Sequence, residues 1–247
     1  ATYCDYTSDD TNPQCRALML QVNYIVWASG LNPYNVYDEC FGGAPGPDGI
    51  FEETEDSVRM VHPGTMPLLT QEARDKYLQL FKEKHADKPE QYSSIPCTDT
   101  SDRDTYLNNP EVREALHVPE FVQQWEACSD EVGALYNRQY TTMKAQYDQL
   151  LAGEYRGLVF NGDLDMACNH LGDMWFVESL NQPEEEDGGY KPWYYDDDLG
   201  TWQVAGYVLQ DEYIKFLTVK GAGHFVPTDK PWPAYIMWEK FLNDEPY

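Results

Sequence analysis

The sequence predicts an α/β chain, and three observations carry that expectation. Short apolar runs of strand length, RGLVFNGD, QVAGYVLQ and YIKFLTV, lie in the second half of the chain. Helix-period patterns separate and follow them, ending in PWPAYIMWEKFLN. The strands are too few for a self-sufficient sheet, so the expected architecture is the closing half of an α/β domain.

The first element expected is a helix over QCRALMLQVNYIVWASG, with Gly30 as its stop signal. From Cys40 to Pro67 the chain turns rich in Gly, Pro and acids and reads as an excursion, a loop or short hairpin. Thr70 then caps a predicted helix with Glu72 and Asp75 at its start and Lys82, Lys84 and His85 late, as the helix dipole prefers. A polar stretch, HADKPEQYSSIPC, follows it. Asn109 and Pro110 supply an N-cap and an N1 proline for PEVREALHV. Ser129, Asp130 and Glu131 open a predicted long helix with Val132, Leu135, Tyr136, Met143, Tyr147 and Leu150 on its apolar face, ending at Gly153. The acidic runs 184–187 and 196–198 read as solvated loop.

Among 247 residues, 17 basic side chains face 43 acidic ones, for a formal charge of −26. Nucleic acid and anionic membrane would be repelled, so neither is an expected partner. No apolar run approaches the roughly 18 residues that span a bilayer. The opening ATYCDYTSDD has neither an initiator Met nor a signal-peptide pattern, and reads as a boundary left by processing or cloning. The six cysteines form no CxxC pair and meet no histidine at zinc-finger spacing, which favours disulfides and an oxidising compartment.

Two strand-end turns hold the candidate chemistry. Asp163 and Asp165 follow one strand in LVFNGDLDMACNHLG, and His224 follows another in FLTVKGAGHFVP. An imidazole base needs a buried carboxylate on one nitrogen and a nucleophile on the other. Asp before His is the chain order of an α/β-hydrolase triad, with the serine further upstream. The bland alternatives stay open: a histidine satisfied in a turn, and aspartates that accept from nearby backbone N–H groups. A calcium loop fails at Ala167 and Cys168, where oxygen ligands should fall. Asp165, Cys168 and His170 match no strong metal signature. None of the serines lies in Gly-x-Ser-x-Gly, so an acid and a base are present with nothing to activate.

NGDLDMACNHLG, GAGHFVPTDKP and YLNNPEVREALHVP together resemble the serine carboxypeptidases, most of all the lysosomal members, with a matching C-terminal FLNDEPY. The likeness runs over essentially the whole chain. It implies the C-terminal half of an α/β-hydrolase fold with a largely helical cap. Residues 1–96 would be the cap, helical over 1–40 and resembling a maturation-cleaved excursion over 41–96, and 97–247 would complete the core.

The resemblance further implies roles. Asp165 would be the catalytic acid, His224 the catalytic base, and Asp163 a structural residue holding the turn. Ala167 and Cys168 would flank the pocket for the residue before the scissile bond. Phe225, bulkier than the methionine common in the family, would stand near the leaving-residue pocket. Cys40 would pair with Cys97, and Cys4, Cys15 and Cys128 would bond to cysteines outside this chain. The implied function is removal of C-terminal amino acids from peptides by acyl-enzyme chemistry at acidic pH, in a lysosomal or secreted enzyme needing no metal or cofactor. The serine would belong to an N-terminal segment or partner chain, and a homodimer is a further implied state. The rival readings are a non-catalytic binding or protective subunit, an inactive truncation, and a lipase-like esterase, which PEVREALHV argues against.

Overall fold

In the computed structural model the described residues are 13–28, 31–40, 51–53, 58–60, 79, 97–129, 132, 136–137, 139–140, 142–183, 189–197 and 199–247. They form two compact units, residues 1–32 with 39–139, and residues 33–38 with 140–247.

In the first unit, α1 (Pro13–Ala28) forms over the expected apolar run. The excursion holds an antiparallel hairpin, β1 (Phe51–Glu53) with β2 (Val58–Met60). Gly30 and nearly all of the stretch from Thr70 to Cys97 lie outside the described residues; Gln79, within it, is helical. A disulfide joins Cys40 to Cys97 across 57 positions. Closing a loop of that length removes entropy from the unfolded chain worth about 4 kcal/mol.

Further along, α2 (Ser101–Leu107) and α3 (Pro110–Ala115) are separated by the Asn108-Asn109 pair, and each asparagine has its own task. Asn108 clamps a distant loop through both ends of its amide, accepting from Trp125 N at 2.7 Å and donating to Trp125 O at 2.8 Å. Asn109 caps α3, its side chain accepting from Glu111 N at 2.9 Å, with Pro110 at N1 as the sequence predicts.

The predicted long helix from Ser129 to Gly153 is shorter. Among the described residues Val132 is helical and α4 (Lys144–Ala152) forms a regular helix, but Tyr136, Asn137, Gln139 and Tyr140 between them are not helical. Thr142 explains where it begins: its hydroxyl accepts from Lys144 N at 3.2 Å, a local bond that competes with helix continuation. The intended apolar face is also uncovered, with Val132, Tyr136, Met143 and Leu150 all exposed, so burial does not favour extending the helix.

The second unit is a mixed α/β sheet in the order β3-β6-β5-β4, formed by β3 (Gly157–Gly162), β4 (Lys191–Asp196), β5 (Trp202–Gln210) and β6 (Ile214–Val219). β6 runs parallel to β3 and antiparallel to β5. The strand pair expected from QVAGYVLQ and YIKFLTV is therefore present, whereas β4, whose KPWYYD mixes Lys, Pro and Asp with aromatics, escapes the sequence pattern. One acidic run begins within β4, at Asp196. Asp197 then accepts from Leu199 N and Thr201 N, each at 2.9 Å, to turn the chain into β5.

Alternation along β6 builds a core on each face. Leu217 and Val219 join Trp193, Val208, Ala234 and Met237 under α7 (Pro231–Asn243). Ile214 and Phe216 join Leu151 of α4 and Val177 of α5 (His170–Glu178) on the other face. Helices on both faces hold the sheet as a middle layer, which fixes where its strand ends point. A short helix, α6 (Val226–Asp229), precedes α7.

Candidate active site

β3 ends at Gly162 and β6 at Val219, directly opposite it in the parallel register. Parallel pairing sends both carboxyl ends to one sheet edge, the place where α/β sheets gather ligands. The turn 163–165 leaves one strand and the turn 220–224 leaves the other.

Several bonds hold the two turns together. Leu164 N donates to Ala222 O at 2.9 Å, and Gly221 N donates to Asp163 Oδ1 at 2.7 Å. A side chain at Gly162 would overlap the carbonyl oxygens of Ala222 and Gly223, so the close approach of the turns requires glycine there.

Asp165 is buried, at 3% exposure, and its carboxylate is fully engaged. Oδ1 accepts from Ala167 N at 2.9 Å and Cys168 N at 3.0 Å; Oδ2 accepts from His224 Nδ1 at 2.8 Å. A carboxylate only accepts, so Nδ1 carries the proton and further exchange falls to Nε2. The His224 side chain is 35% exposed, open enough to meet another group. Hydrogen bonding to Asp165 pushes the His224 pKa up to about 10; hydrogen bonding with Cys168 adds to this, and partial burial works against it. At neutral pH the ring of this chain is therefore cationic.

The remaining predicted residues lie around this pair. Ala167 and Cys168 touch it through their backbone amides, a contribution that side-chain reasoning misses. The Cys168 thiol is exposed, and Asp165, Cys168 and His224 each bring a donor atom within 4.8 Å of the other two. His170, the histidine that the sequence sets next to Cys168, is not in this group. Phe225 meets the His224 ring edge-on, centroids 5.2 Å apart, and Tyr34 lies against both rings, 5.2 Å from His224 and 6.0 Å from Phe225. Asp163 bonds the opposite turn, as described, and does not contact His224 in any hydrogen bond.

Sequence reasoning missed a strap, residues 33–38, that grips both turns. Pro33 O accepts from Met166 N and Ala167 N, both at 2.9 Å, and Tyr34 O accepts from His224 N at 2.7 Å. Val36 N donates to Leu164 O at 3.2 Å. Asn35 Nδ2 donates to Asp229 Oδ2, which also accepts from Gly223 N at 2.6 Å. Asn32-Pro33 is a turn signal, but apart from the Asn35 side chain the strap bonds through main-chain groups, and side-chain identity carries no address for those. Asn161 was missed as well. From the end of β3 it donates to Cys168 O at 3.2 Å and Asp173 Oδ2 at 2.8 Å, holding the loop whose amides grip Asp165.

The cysteines need one correction. Cys15 is buried and already disulfide-bonded, so it does not wait for a cysteine outside this chain. Cys128 is a half-buried thiol, and Cys4 lies outside the described residues.

Comparison with known proteins gives the family. The chain is 43% identical over 240 residues to the lysosomal protective protein of Mus musculus, covering 97% of this chain and 48% of that protein. It is 31% identical over 250 residues to serine carboxypeptidase ctsa-4.1 of Caenorhabditis elegans, again covering 48% of it. A solved structure, the prohormone-processing carboxypeptidase Kex1(Δ)p of Saccharomyces cerevisiae, aligns over 58% of this chain and 32% of its own with 25% identity and a TM-score of 0.47. The chain thus spans about half the length of the curated relatives it matches. The profile of the family described as serine carboxypeptidase matches residues 2–244, nearly the whole length, and the chain belongs to that family.

Proposed function

We propose that this chain supplies the acid and base of a serine carboxypeptidase, with the nucleophilic serine on a further segment or chain. The observation that carries the reading is the 2.8 Å bond from His224 Nδ1 to the buried Asp165 carboxylate at the carboxyl end of two parallel strands. In the assembled enzyme, His224 Nε2 takes the proton of the serine hydroxyl as it attacks the last peptide bond, then returns it to the departing amino acid. Asp165 holds the ring in the required tautomer and stabilises its cation. Ala167, Cys168 and Phe225 flank the peptide on either side of the scissile bond.

A general base must be neutral to accept a proton, and in this chain alone His224 holds its proton well above neutrality. Covering the ring with further protein would lower its pKa, because desolvation disfavours the cation. The sheet supports such an addition: among the described residues β3 has a strand neighbour on one side only. The name of the mouse relative supports a lysosomal or secreted setting, and the Cys40–Cys97 disulfide agrees with it. Peptides are the substrate class, and a homodimer is a candidate state.

The test is release of the C-terminal residue from a short peptide by the full-length parent. His224→Gln and Asp165→Asn should each lower kcat by about 10³-fold or more, with little change in KM. Unchanged kcat in His224→Gln refutes the assignment. A second reading, a non-catalytic protective subunit or inactive truncation, draws on the absence of Gly-x-Ser-x-Gly from the sequence. Full activity loss in the parent variants would not exclude it for this chain alone, whereas failure of the isolated chain to join any serine-bearing partner would favour it.

A further inference from the structure

The fold assembles a mixed donor set that the sequence separates. Asp165 and Cys168 sit three residues apart, but His224 comes from another strand end, and the donor atoms of all three lie within 4.8 Å of one another. We propose that this cluster binds a borderline-soft divalent cation of the zinc class. The inference does not depend on the hydrolytic reading above.

The chemistry of the donors selects the ion. Thiolate, imidazole and carboxylate together suit zinc or cobalt, whereas calcium and magnesium require oxygen ligands. Three protein ligands leave the fourth tetrahedral position to water. Bonds of about 2.0–2.3 Å to a tetrahedral ion put the donors roughly 3.3–3.8 Å apart, so the widest separation need close by about 1–1.5 Å while the His224–Asp165 contact opens slightly. The exposed Cys168 side chain can supply that by rotation.

Asp165 is already organised for the task. Its Oδ1 is held by the amides of Ala167 and Cys168, which orient a ligating carboxylate as outer partners do in metal sites. Oδ2, now facing a ring N–H, exchanges that proton for the cation. On binding, the proton of the thiol and that of the coordinating ring nitrogen pass to solvent, so affinity rises with pH. The bound ion takes a ring nitrogen and the carboxylate at once, and so breaks the His224–Asp165 hydrogen bond. In any enzyme this pair serves, the ion acts as a reversible inhibitor.

The experiment is titration of the purified 247-residue chain with zinc chloride by calorimetry, and with cobalt chloride by absorbance, both in excess calcium. Calcium occupies the oxygen-only sites that a chain of charge −26 offers. The expected result is one zinc equivalent that calcium does not displace, with a thiolate-to-cobalt charge-transfer band in the near ultraviolet. Cys168→Ser and His224→Asn should each weaken it by more than the roughly 10–100-fold that loss of an outer partner costs. His170→Ala should leave it unchanged. A cobalt spectrum of the wild-type chain without the thiolate band overturns the proposal, whether or not the variants fold. So does zinc binding that calcium displaces, or that survives Cys168→Ser intact. The parent's peptidase activity plays no part in these readouts, so failure of the hydrolytic reading would be seen separately.

Discussion

Asp163 accepts the backbone N–H of Gly221 at 2.7 Å, across 58 positions of chain, and so ties the turn that carries Asp165 to the turn that carries His224. The tie is distinct from the Asp165–His224 bond. Removing it should cost stability without removing the pair. Asp163→Ala is expected to destabilise the second unit by about 1.5–3 kcal/mol, the contribution of a hydrogen bond to a charged group, read as a lower urea midpoint with unchanged slope. A midpoint equal to wild type would mean that the turns are held by their backbone bonds alone.

Gly162 presents a steeper case. A methyl group there meets two carbonyl oxygens of the opposite turn, and neither is the flexible end of a side chain. Gly162→Ala should cost more than about 2 kcal/mol, beyond the ordinary effect of a surface substitution. Circular dichroism on heating measures it, and a melting curve overlying that of wild type would show that the turns separate easily.

The His224–Asp165 bond makes stability depend on pH, and the sign follows from the raised histidine pKa. A group that binds its proton more tightly in the folded state contributes fully below its unfolded pKa of about 6.5. The contribution fades as pH rises toward about 10, where the folded-state ring loses its proton. With a chelator present, the gap in unfolding free energy between wild type and His224→Gln should be widest near about pH 6 and shrink steadily up to about pH 10. A gap that widens with pH would reverse the assigned direction.

Much of the described fold was legible because its signals are local. The strand runs of β3, β5 and β6, the cap at Asn109 and the closing helix α7 each declare themselves within a dozen residues. Asp165 and His224 were legible through the motifs around them, which mark strand-end turns. The long helix through Tyr136 was misjudged because periodicity says nothing about what would cover the apolar face. β4 was missed because Lys191, Pro192 and Asp196 flank its three aromatics, leaving an apolar run too short for a strand signal, at the edge of the described sheet. The strap at Pro33–Asp38 acts mostly through main-chain groups, which every residue possesses, so only the folded chain reveals it. The Asp165–Cys168–His224 cluster is likewise invisible to spacing, since two of its members are local and the third arrives through parallel strand pairing.

The central claim is that His224 serves a serine that this chain does not contain. Mass spectrometry of the native preparation after reaction with a fluorophosphonate probe, run with and without reduction, addresses it most directly. The expected result is label on a serine of a second polypeptide associated with this one, and loss of labelling in His224→Gln. Label on a serine of the 247-residue chain itself, or labelling indifferent to His224, would contradict it.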